Sequence, residues 1–332
     1  MMLAVTIDTE ADNQWQGGCP VTTRNAAYWA PFQDLCDRHG ISPTYLVATE
    51  IVEDERARQL LSAWSRRGAE IGAHLHPWTT PPFADRPGLR YNDPAHVYPS
   101  QLPDDLLHEK TSVLTAQIAS AFGSNPTSYR AGRFGIDTRG ATLLAEAGYT
   151  VDSSVTPLWS WRRHPGLDGT GGPDFRTHSP QPFLIEGRGA HRLLEIPVTI
   201  MATYRPLRSV PLLLDAYQWL PVRAARKLLL SRWLSHQPVC LSPGPRYLTK
   251  DLVSVWRCAA DAGLDAAVLI FHSSELMPGG SPFLLDAPAV RGLLDCLDAF
   301  FSFVREEGGR FLTLSALAAA VLANGTPETR AL

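Results

Sequence analysis

Short runs of apolar and β-branched residues alternate with helical periods along almost the whole chain. This rhythm constrains the fold more than any other feature. Leu3–Asp8, Pro43–Val47, Glu70–His74, Leu194–Ile200 and Ala267–His272 read as strands bounded by polar or turn residues. Helical periods span Asn25–His39, Glu53–Arg67, Lys110–Phe122 and Thr138–Ala147, and Gly68, Gly123 and Gly148 close three of them. Such alternation calls for parallel strands joined by crossover helices. About seven units favour an α/β fold of the distorted (β/α) barrel kind over an open sheet.

With 332 residues, 45% hydrophobic and 19% charged, the chain has ample core material and none of the composition of a disordered chain. No repeat or linker divides it. Residues 1–323 are expected to form a single catalytic domain with loop insertions at about 77–103 and 159–182. Residues 324–332 are expected to be a frayed tail. A formal net charge of −3 gives no basic field for a phosphate backbone, so nucleic acid is excluded as a partner class.

The five cysteines (Cys19, Cys36, Cys240, Cys258, Cys296) form no CxxC pair, which argues against a thiolate metal site and for a reducing compartment. The apolar opening Met1–Ile7 lacks a basic flank and a cleavage site, and no run reaches the ~18 apolar residues of a membrane span, so a cytoplasmic location is expected. Arg223–Leu234 reads as a basic amphipathic helix covering the barrel, with peripheral membrane contact as its alternative.

Chemistry-bearing residues collect at strand ends. Asp8 and Glu10, spaced i, i+2, turn two carboxylates to one side, an arrangement that suits a base beside a metal ligand as well as a solvated strand end. His74 and His76 repeat that spacing after another strand. Together with a carboxylate they make a two-His-one-acid set, while a pair of hydrogen-bonded histidines is the plainer alternative. Arg130, followed by Gly132 and Gly135, is placed to brace a carboxylate and to expose backbone N–H groups. His272 ends a buried apolar strand, where proton transfer is performed, and Asp152 is a comparable strand-end acid. All fall at C-terminal strand ends, the rim where parallel β/α folds gather their catalytic groups.

The motifs Asp8-Thr9-Glu10, His74-Leu75-His76, Arg130–Gly135, Asp152 and Phe271-His272-Ser273-Ser274, in this order, resemble the polysaccharide deacetylase family, the NodB-homology carbohydrate esterases, from about residue 2 to 315. The resemblance implies a distorted barrel that binds a divalent metal, zinc by default, and hydrolyses an N-acetyl group on an amino sugar. It implies Asp8 as base, Glu10 and His74 as metal ligands, Arg130 as the residue orienting the base, Asp152 as the acid partnering the histidine, and His272 as general acid.

The family's second histidine normally follows four residues after the first. That position is Trp78 here, so the role passes to His76. Backbone N–H groups near Arg133 and Phe134 would serve an oxyanion, and Trp78, Tyr91, Tyr98, Trp159 and Trp161 either stack on sugar rings or pack as ordinary loop aromatics. Hydrolysis of another amide or C–N bond, or a carbohydrate-binding pseudoenzyme, are the competing readings.

Overall fold

A computed structural model describes residues 1–12, 21–83, 97–186, 192–203, 238–244 and 248–332. Tyr91 and the Arg223–Leu234 helix lie outside the described residues. Twelve strands are present among them: β1 (Met2–Thr9), β2 (Thr44–Val47), β3 (Glu70–Leu75), β4 (Ser128–Ala131), β5 (Val151–Asp152), β6 (Phe183–Glu186), β7 (Arg192–Glu195), β8 (Ile200–Met201), β9 (Val239–Cys240), β10 (Ala266–His272), β11 (Arg310–Leu312) and β12 (Thr329–Arg330). The helices are α1 (Ala30–Arg38), α2 (Thr49–Glu53), α3 (Glu55–Ser65), α4 (Asp104–Phe122), α5 (Thr138–Glu146), α6 (Thr249–Asp261), α7 (Ala287–Glu306) and α8 (Leu314–Asn324).

Parallel pairing runs through β10-β1-β2-β3-β4-β5-β7, the expected succession of strands. β6 pairs antiparallel with β7, and β11 lies along Met2–Ala4 of β1. Described residues next to β8 and β9, which pair antiparallel with each other, reach toward both β5 and β10. Ile196 N–H donates to Asp152 O (2.9 Å), Thr199 N–H to Val268 O (3.2 Å), and Ile270 N–H to Leu241 O (3.1 Å). The result is the distorted barrel that the alternation of elements predicts.

The period-2 alternation of β1 sorts its side chains onto two faces. Leu3, Val5 and Ile7 pack in the main core with Phe32, Leu297, Phe300 and Phe301 of α1 and α7. Met2 and Ala4 point the other way, into a smaller apolar cluster with Ala266 and Val268 of β10 and Leu314, Leu317 and Ala318 of α8. On that inner face the sequence then turns polar, through Thr6 to Asp8. One strand therefore carries an apolar plug at its N-terminal end and chemistry at its C-terminal end.

Several boundaries differ from the expected ones for identifiable reasons. The expected strand Leu194–Ile200 breaks after Glu195 and resumes at Ile200, because Pro197 has no N–H for the ladder. The expected helix Asn25–His39 divides into a 3-10 turn, Arg24–Tyr28, and α1, with Pro31 in the first turn of the latter. Asp54 separates α2 from α3 by accepting the Ala57 N–H at 2.7 Å as an N-cap. The expected frayed tail is tied down: β12 pairs parallel with β6, and Leu332 N–H donates to Thr138 Oγ1 (3.1 Å).

Candidate active site

Glu10 follows β1, His74 lies in β3 and His76 follows it, so two strands on either side of β2 deliver three ligand-type side chains to one place. Glu10 Oε2 lies 3.5 Å from His74 Nε2 and 3.2 Å from His76 Nε2. All three groups are buried, and their ligand atoms lie within 4.8 Å of one another. His74 Nδ1 donates to the Arg130 carbonyl (2.9 Å), which turns Nε2 toward Glu10. His76 stacks on Trp78 with ring centroids 4.4 Å apart. Gly132 is required beside it, since a Cβ there would collide with the His76 ring and the Leu75 carbonyl.

Burial pushes the Glu10 carboxyl up, but hydrogen bonds with both histidines outweigh it and hold the group far below the usual carboxylate range. Burial pulls His74 down, and the charges of Asp8 and Glu10 more than reverse this. His76 Nδ1 is buried and has no hydrogen-bond partner. Two imidazoles and a carboxylate converging in a buried pocket make a donor set that fits a divalent metal.

Beside this cluster, Asp8 Oδ1 accepts from Arg130 Nη1 at 2.7 Å. Arg130 is fully buried and makes three further bonds: Nη1 donates to Thr6 Oγ1 (2.9 Å), Nε to Ser153 O (2.7 Å) and Nη2 to Ser153 Oγ (3.0 Å). Burial raises the Asp8 pKa, but the guanidinium and the two histidines His74 and His272 bring it below the ordinary carboxylate value. The second oxygen of Asp8, Oδ2, lies 4.0 Å from His272 Nε2. Burial lowers the His272 pKa, yet the carboxylates of Glu275, Glu10 and Asp8 raise it to about 9.

Asp152 does not partner His272. In the ladder it sits opposite Tyr129, whose ring packs in the main core on the helix-facing side of the wall. Parallel neighbours in register share a face, so alternation turns Asp152 away from the barrel interior. Its register neighbour on β7 is Glu195, and both carboxyls are fully buried. Asp152 Oδ1 accepts from Ser154 Oγ (2.6 Å), and Glu195 Oε1 accepts from Val155 N–H (2.9 Å). Asp152 Oδ2 and Glu195 Oε2 have no hydrogen-bond partner outside the pair.

Burial raises both groups, and the Asp152 charge raises Glu195 further, so the pair holds a proton that the unfolded chain would release near neutral pH. An acid whose folded pKa is raised loses stability as pH rises above its unfolded value. Glu195→Gln can still accept the Val155 N–H and supplies Asp152 with a donor that needs no bound proton. It is expected to gain about 1–3 kcal/mol at pH 8 and less at pH 5. Thermal melts at the two pH values check this, and an unchanged or lower Tm at pH 8 contradicts it.

The remaining described candidate residues pack among aromatic rings. Arg133 lies over the Tyr98 ring at 4.1 Å and donates to Tyr98 Oη and Pro165 O, both at 3.2 Å. Arg133 and Phe134 both take left-handed conformations, φ +54° and +57°, uncommon for residues other than glycine and frequent at functional sites. Phe134 stacks on Trp161 (5.2 Å), and Trp159 meets Trp161 edge-on (5.9 Å).

Lys110 of α4 is a buried cation that the sequence reading did not single out. Its Nζ donates to Pro77 O and Pro82 O, each at 2.9 Å, and to Thr80 O, clamping the loop that leaves His76. Its only sequence signal was a lysine on the inward face of an amphipathic helix.

No family model and no curated protein matches the sequence. Solved structures do match the fold. A candidate polysaccharide deacetylase from Mycobacterium smegmatis aligns with TM-score 0.56 at 17% identity over 99% of this chain and 94% of that one. A candidate polysaccharide deacetylase from Pseudomonas aeruginosa PAO1 gives 0.53 at 12% identity over 96% and 89%. The Puue allantoinase gives 0.52 at 13% identity over 97% and 89%. The fold is that of the polysaccharide deacetylases, the NodB-homology type that the motifs resemble.

Proposed function

We propose that the protein is a divalent-metal-dependent hydrolase that removes an N-acetyl group from an amino sugar in a polysaccharide or glycoconjugate intermediate. The observation that supports it best is the Glu10-His74-His76 cluster lying against an arginine-held Asp8 that faces His272. Glu10, His74 and His76 would hold the cation, with zinc the default for this donor set and other divalent transition ions fitting it equally. When bound, the cation polarises the amide carbonyl and acidifies water.

Asp8, kept ionised by Arg130, takes the proton of the attacking water on Oδ2. His272, protonated at neutral pH, delivers its proton to the departing amine nitrogen, which otherwise leaves poorly. Backbone N–H groups around Arg133 and Phe134 would face the developing oxyanion. Trp78, Trp159 and Trp161 would offer surfaces for sugar rings. Among the described residues no helix is long and apolar enough to cross a membrane. Cys36, Cys240, Cys258 and Cys296 are thiols rather than disulfides, which supports a reducing compartment such as the cytoplasm.

The comparable likeness to an allantoinase makes hydrolysis of a different C–N bond the second reading. Acetate release from a panel of N-acetylated oligosaccharides, with and without chelator, separates the two. Release that disappears with the metal and returns on adding zinc or cobalt is expected. Release that persists in verified metal-free protein, or its absence from metal-loaded protein, overturns the proposal.

A further inference from the structure

We infer that Glu275 is the positioning residue of His272, in the place that the motif pattern assigns to Asp152. Glu275 lies on the buried 3-10 turn Ser273–Leu276 that follows β10 directly. Its Oε2 accepts the His272 backbone N–H at 2.8 Å and lies 3.5 Å from His272 Nδ1. One carboxylate oxygen therefore fixes both the main chain and the ring edge of the same residue, and the opposite edge, Nε2, is the one that faces Asp8.

The turn itself cannot swing freely. Ser273 Oγ accepts from Glu10 N–H (3.1 Å) and from Asn25 Nδ2 (3.0 Å), which ties it to the cluster of ligand-type side chains. Gly280 packs where a Cβ would strike the Ser274 carbonyl. Among the described residues, the charged groups acting on the imidazole include Asp8 and Glu10 beside β1's end, and Glu275 itself. Arg24, on the neighbouring turn Arg24–Tyr28, is committed to Asp12 at 2.9 Å. Among the groups that keep the ring protonated against burial, the hydrogen-bonded Glu275 is the largest. A carboxylate on the far nitrogen of a catalytic histidine sets its orientation and basicity.

The inference rests on the proposed hydrolysis for its consequence in turnover, but not for the pairing itself. The test follows the His272 imidazole by NMR titration in metal-loaded protein, assigned with His272→Gln, alongside kcat and KM. Glu275→Gln keeps an acceptor for the His272 N–H and removes the charge. The expected result is a titration midpoint at least one pH unit lower and a kcat reduced about ten- to a hundredfold, with KM and bound metal unchanged. Glu275→Asp is expected to recover part of both.

A wild-type midpoint in Glu275→Gln overturns the inference, as does a midpoint that moves in Asp152→Asn instead. If Glu275→Gln does not fold, an unshifted midpoint in Glu275→Asp with wild-type kcat overturns it equally. If no acetylated sugar is turned over by the wild type, the proposed function fails alone, and the titration still decides the role of Glu275.

Discussion

Asp8→Asn is expected to lower kcat by about 10³–10⁴-fold while bound metal stays stoichiometric. The carboxamide keeps an oxygen for Arg130 Nη1 but cannot take a proton, so the loss falls on the chemical step and KM changes little. The same substitution strips a fully buried guanidinium of its only ion-pair partner among the described residues. Removing one member of such a pair costs about 3–5 kcal/mol, softened here by the three bonds Arg130 keeps to Thr6 and Ser153. Asp8 has a depressed folded pKa, so its stabilising contribution is present above its unfolded value and is lost as pH falls through the folded one. The variant's stability deficit should therefore shrink on acidification. Single-turnover acetate release, metal analysis and melts at pH 4 and 7 measure all three, and a kcat within tenfold of wild type removes Asp8 from the role of base.

His76→Ala tests the displaced ligand. It is expected to weaken divalent-metal binding by at least about 10²-fold, beyond the 10–100-fold typical of groups that merely support ligands, and to abolish chelator-sensitive turnover. The imidazole fills the space between Gly132 and the Trp78 ring, so its loss also opens a cavity there. Trp78→Ala provides the contrast. It leaves the three ligand atoms in place, so a change in KM without loss of metal is expected from it. Stoichiometric metal and undiminished acetate release in His76→Ala would move the third ligand elsewhere.

Much of this site is legible in the sequence because its elements are local. The i, i+2 spacing of Asp8 and Glu10, and of His74 and His76, is enough to turn each pair one way. The apolar run up to Phe271 places His272 at a strand's end without knowledge of the fold. Parity across a short strand is less visible. β5 has two residues, and nothing in Val151-Asp152 tells which of them faces inward. That is why the sequence reading put Asp152 at the rim, whereas register with Tyr129 and Glu195 turns it outward.

Partners distant in sequence were equally hidden. Glu195 reaches from β7 to Val155, just past the neighbouring β5, and Lys110 caps carbonyls some thirty positions earlier, between Pro77 and Pro82. Both replace solvent with tertiary contacts that no periodicity reports. Glu275 is different. It stood three residues after a singled-out histidine, in a spacing that fits a turn, and only the motif pattern's preference for Asp152 obscured it.

Asp8 stands opposite His272 between β1 and β10, and His74 stands opposite Arg130 between β3 and β4. A slip of one residue in either ladder would flip every side chain of the slipped strand to the other face. The slip between β3 and β4 would carry Arg130 away from Asp8, and its carbonyl away from His74, in a single step. The centre therefore cannot assemble piecemeal in a compact but misaligned chain. During refolding, recovered metal binding and recovered turnover should appear together with native strand alignment, which makes the site a reporter of when the barrel wall has zipped correctly.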